Sequence, residues 1–120
     1  MEVMSMVVSD EFGVMQRVLQ EFTRRKINVE TIVVGKCEIP GKARVVLTVK
    51  DRDQAEKAAD SLRRLHDVIT VEVVDASRQE SYALISNGAN KARLIGSIEE
   101  IDKVIETSKP DRYIKAVNAL

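Results

Sequence analysis

The chain is 120 residues long, 44% hydrophobic and 32% charged, and its 19 basic and 19 acidic side chains cancel at neutral pH. That length holds one domain, or one domain and a fragment of a second; the zero net charge, with two Tyr, two Phe and no Trp, excludes a general nucleic-acid binder, a base-stacking single-strand binder and a polybasic membrane docker. Cys37 is the only cysteine, no apolar run approaches the ~20 residues of a membrane span, and an acid, Glu2, stands where a secretion signal carries basic residues, so a reducing cytoplasmic location is expected.

Val3 to Val8 is a short Val- and Met-rich run and predicts a buried strand. Ser9-Asp10-Glu11-Phe12-Gly13 breaks it, and Ser9 or Asp10 is placed to cap the helix that follows. Val14, Val18 and Phe22 then recur every four residues, flanked by Met15 and Leu19, which predicts an amphipathic helix ending near Arg24-Arg25-Lys26. Basic residues there complement the helix dipole. Ile27 to Cys37 is dense in β-branched residues and predicts a strand. Pro40-Gly41 marks a turn, and Ala43 to Lys50 a returning strand, so the two form a hairpin. Asp53 to His66 is helical by the spacing of Ala55, Ala58, Ala59, Leu62 and Leu65, and Val68 to Val74 is a fourth strand.

The order βαββαβ is the ferredoxin-like α+β plan, an antiparallel sheet with helices on one face. It fills residues 1–75. Residues 76–80 are polar and read as a linker. Residues 81–120 read as a short ββαβ segment: Tyr82 to Ser86, an Asn87-Gly88 turn, Ala92 to Gly96, and a helix opened by the capping box Ser97–Glu100, with Ile98, Ile101 and Ile105 on one face. Pro110 stops that helix, and Tyr113 to Val117 is a last strand. This tail has too few elements to close a layer alone, so it packs either on the first unit or on a second copy. The first sheet leaves strand edges unpaired, and long apolar edges are rarely left bare, so a dimer is expected.

The segment from Ser9 to Val18 is the most informative. A glycine at a helix start admits a ligand close to the backbone, free N–H groups of a first turn hold a carboxylate, and Asp10 is suited to an ammonium group. Together they suit a free amino acid. Taken alone, an acid before a helix is ordinarily just a cap.

The chain resembles the small regulatory subunits of acetolactate synthase, an ACT-domain family. The resemblance rests on Asp10-Glu11-Phe12-Gly13-Val14, Arg17-Val18, Phe22-Thr23-Arg24-Arg25, Ile27-Asn28-Val29-Glu30-Thr31, Val33-Val34-Gly35, Ala43-Arg44 and Leu65-His66-Asp67-Val68-Ile69-Thr70-Val71, in order over residues 1 to about 75. It implies a protein with no catalytic residues and no cofactor of its own. Thiamine diphosphate, Mg²⁺ and FAD would belong to the catalytic large subunit that this chain partners and regulates. It implies a homodimer through ACT domains and an effector at their interface, a branched-chain amino acid, usually valine. Carried onto this chain, Asp10, Glu11, Phe12, Gly13, Val14 and Met15 would hold the effector's backbone, and Asn28 and Val29 would come from the partner subunit. The alternative is a free-standing ACT amino-acid sensor acting on another enzyme. The family usually has Asn at the position of Asp10 and Gly at that of Lys26, so Lys26 must either take another turn or adopt a left-handed conformation.

The remaining polar features read structurally. Cys37 lacks a second Cys or a His nearby in sequence, and His66 is the sole histidine, so neither a multi-His metal site nor an in-chain His dyad is available. His66 is expected at a helix end, and Met1, Met4, Met6 and Met15 are expected in the core. Arg24-Arg25-Lys26 and Arg63-Arg64 read as solvated helix ends or as a patch for an acidic surface on the large subunit. No acid–base pair with a pocket can be assembled, which argues against an enzyme.

Overall fold

A computed structural model describes residues 1–120. In chain order the first half comprises β1 (Glu2–Ser9), α1 (Val14–Arg24), β2 (Thr31–Lys36), β3 (Lys42–Val49), α2 (Arg52–Leu62) and β4 (Val68–Val74). The strands form one antiparallel sheet in the order β2-β3-β1-β4. β1 is central, and every residue from Val3 to Val8 is buried because both faces of the sheet are covered there. Alternate side chains go to opposite faces. Met4, Met6, Val8, Val45 and Leu47 meet Val14, Val18 and Phe22 of α1 and Ala55, Ala58, Ala59 and Leu62 of α2 in one core. The alanines let α2 lie close to the sheet. Its start is fixed by Asp51, whose carboxylate accepts the Gln54 N–H at 2.9 Å.

The second half comprises a 3₁₀ turn (Ala76–Arg78), β5 (Gln79–Asn87), β6 (Asn90–Gly96), α3 (Ile98–Ser108) and β7 (Arg112–Ala119). Its three strands form a separate antiparallel sheet, β6-β5-β7. The capping box at Ser97 and Glu100 forms as predicted. Of the two expected placements the tail takes the first. Val117, Ala119 and Ile98 pack on Val3, Val46 and Val74, on the face of the first sheet away from its helices. Arg78 fastens the join, donating to the Leu120 carbonyl at 2.7 Å and pairing with Glu72. The fold is thus α+β, a ferredoxin-like βαββαβ followed by ββαβ.

Several local expectations are corrected. The second strand starts at Thr31, not Ile27: Lys26 turns left-handed (φ 58°), the Ile27 N–H bonds the Phe22 carbonyl at 2.9 Å, and the Ile27 side chain enters the helix-side core. α2 stops at Leu62, and a turn from Leu62 to Leu65 leaves His66 exposed beyond the helix. Gln79 and Glu80 begin β5 instead of completing a linker. Met4 and Met6 are fully buried and Met15 packs at the margin of the core, but Met1 is half exposed.

Candidate functional site

The loop between β1 and α1 is held by backbone bonds from two sides. The Ser9 N–H bonds the Asp67 carbonyl and the Asp10 N–H bonds the Gly41 carbonyl, each at 2.9 Å. Gly13 sits immediately before α1 with φ 84°, a left-handed conformation that glycine adopts without a Cβ penalty. It is the residue at the N-cap position, in place of Ser9 or Asp10, and no side chain caps α1. The first-turn N–H groups therefore lack the side-chain oxygen that α2 has in Asp51 and α3 in Ser97. Asp10, Glu11 and Phe12 are exposed, Phe12 fully, and neither carboxylate takes part in an ion pair. Val14 is buried beneath the loop and Met15 half buried beside it.

Above Gly13 lies a feature that the sequence alone did not disclose. Arg17, one turn into α1, reaches back and donates from Nε to Asp67 Oδ2 at 2.8 Å. Its Nη1 stands 3.3 Å from where a Cβ on residue 13 would be. The two partners are fifty positions apart in the chain, so no local pattern announces them.

The structure separates the other two candidates from the loop. Ser9 lies opposite Lys42, whereas Thr31 and Val3 both lie opposite Thr48, and Asn28 and Val29 precede Thr31. The six steps from Val3 to Ser9 extend about 20 Å at ~3.3 Å each, so within one chain Asn28 and Val29 sit at the far end of the sheet from Asp10. The surface cavities around Tyr82 and Ile114, Ser86 and Lys91, Arg25 and Asp51, Ser77 and Leu120, and Lys103 and Thr107 are lined by none of the eight candidate residues. β2 is an edge strand, paired on one side only, and its Ile32 and Val34 are exposed at 39% and 50%. If a second β2 paired antiparallel with this edge, the partner's Asn28–Val29 end would be brought to the end of the sheet that carries the loop. No three His, Cys, Asp or Glu side chains converge as a metal site would need. No helix is long and apolar enough to cross a membrane.

Comparison with known proteins follows the same residues. Positions 4–70 match the family model described as the AHAS small subunit-like ACT domain. A probable acetolactate synthase small subunit of Methanothermobacter thermautotrophicus is 41% identical over 70 residues, a match spanning 58% of this chain and 42% of that protein. The acetolactate synthase small subunit of Mycobacterium bovis is 32% identical over 120 residues, covering 94% of this chain and 71% of the relative. Among solved structures, the acetolactate synthase small subunit of Thermotoga maritima superposes with a TM-score of 0.85 over 99% of this chain and 95% of its own, at 22% identity, a likeness of fold.

Proposed function

The chain belongs to the family of AHAS (acetolactate synthase) small subunit-like ACT domains, and from that premise we propose that it is a regulatory subunit that binds a branched-chain amino acid, valine foremost, between two ACT units and so modulates a catalytic large subunit. The observation that carries this reading is the division of the candidate site. The loop Asp10–Met15 and the pair Asn28–Val29 lie at opposite ends of one sheet, and the exposed β2 edge offers the antiparallel pairing that unites them. In that arrangement Asp10 takes the ammonium, the free N–H groups at the start of α1 take the carboxylate, and the partner's Asn28 adds an amide donor. Phe12 and Val29 supply apolar surface for an aliphatic side chain. Residues 1–75 form the sensing unit, and residues 79–120 follow as a C-terminal segment.

The mechanism is a population shift. An amino acid that favours one arrangement of the two ACT units changes how the dimer engages the catalytic subunit, and the catalytic subunit must change the amino acid's affinity by the same factor. Thiamine diphosphate, Mg²⁺ and FAD stay with the catalytic subunit in this proposal. The test is the pyruvate-condensing activity of that subunit, measured with and without this chain and then with valine added. Activity raised by the chain and altered by valine is expected. An amino acid that binds the chain while leaving the enzyme untouched makes the protein a free-standing sensor instead.

A further inference from the structure

Arg17 occupies an unusual electrostatic position. Long side chains on a helix lean toward its N-terminus, and this one brings a cation over the start of α1, where the helix dipole disfavours positive charge. The carboxylate of Asp67 compensates from one side, engaging Nε and Nη2 through a single oxygen, Oδ2. Nη1 has no protein partner and stands over Gly13, beside first-turn N–H groups that no side chain caps. Asp67 is itself well held. Its side chain is 15% exposed and its carbonyl accepts the Ser9 N–H. A half-exposed, partly neutralised cation thus stands beside the open start of α1, where the Val14 N–H turns to the Glu11 carbonyl at 3.3 Å, while Asp10, three residues before Gly13 in the loop, exposes a negative charge.

We propose that Arg17, aligned by Asp67, is the cation that receives the effector's carboxylate above Gly13, which makes the loop a receptor for both charges of a zwitterion; this rests on the reading of Asp10–Met15 as the effector's seat. The same geometry gives Gly13 a second role, since a Cβ there would crowd the guanidinium.

The assignment is tested by calorimetric titration of the intact protein with valine and with valinamide, which keeps the ammonium and side chain but replaces the carboxylate by a neutral amide. The wild-type protein is expected to prefer valine by about tenfold or more, since a charge-assisted hydrogen bond is lost with the amide. Arg17→Gln is expected to lose that preference through weaker valine binding, with valinamide affinity unchanged. Arg17→Lys is expected to keep part of the preference. A purely structural role for Arg17 would weaken both ligands together. Arg17→Gln retaining the wild-type preference overturns the assignment and leaves the seat intact. Wild-type protein that binds neither ligand overturns the seat and the assignment together.

Discussion

At the scale of single residues, Gly13 and Lys26 both carry left-handed backbone geometry, and they differ in what the sequence tolerates. Gly13, at φ 84°, holds it at no steric penalty. Lys26, at φ 58°, holds it with a Cβ that meets the backbone. The departure from the family's usual glycine was legible in the sequence, but which of two turns Lys26 would take was not. The structure answers through Ile27, whose burial and N–H bond to Phe22 require the chain to reverse there. Lys26→Gly is therefore expected to stabilise the protein by about 1 kcal/mol, read as a higher midpoint of thermal unfolding with the effector response unchanged. A lower midpoint would mean that the Lys26 side chain contributes more than the strain takes away. Arg17 teaches the converse. Its helix was evident from the spacing of Val14, Val18 and Phe22, yet its pairing with Asp67 depends on the tertiary approach of the loop before β4 to the loop after β1.

At the scale of elements, all three α-helices and all seven strands were legible, the helices from apolar spacing and the strands from apolar or β-branched runs bounded by turns, while the 3₁₀ turn Ala76–Arg78 lay in the polar stretch read as a linker. Boundaries fared worse where composition and geometry part company. Ile27 and Val29 are β-branched, but they serve core packing before the strand begins at Thr31. The strand that results is short, and its outer edge is protected only by Lys36 at one end. Opposite it, the outer edge of the sheet is β4, which carries a register shift against β1 at Val7/Val8 and the charged Glu72. Glu72 is held below the usual carboxylate range chiefly by its hydrogen bond with Arg78. The contrast favours β2 over β4 as the edge for the proposed pairing. Val34→Lys, at a half-exposed position, is expected to weaken self-association by about tenfold or more while leaving the fold intact, as read by sedimentation over a range of concentrations. An unchanged association constant would move the dimer contact away from β2.

At the scale of the whole molecule, the fold class and the two-part layout could be read from the order of elements, and the tail's docking could not, because Val117 and Ala119 look like any short apolar strand until Val3, Val46 and Val74 are seen uncovered beneath them. That docking covers the face of the first sheet opposite its helices and leaves the β2 edge free, which is the arrangement a sensor formed from two copies requires. The candidate site was legible only as a list of residues. Its division between opposite ends of one sheet emerges from strand register, and in the proposed reading that division would tie amino-acid binding to pairing. The most direct test is isothermal titration of the purified protein with valine, leucine and isoleucine in turn, repeated with Asp10→Ala. Asp10 is exposed and its side chain bonds nothing within the chain, so the variant should keep the wild-type unfolding midpoint. The account predicts saturable binding of one of the three amino acids and its loss in Asp10→Ala. Binding of none, by a protein shown to be paired at the concentration used, or binding that Asp10→Ala leaves unchanged, would contradict it.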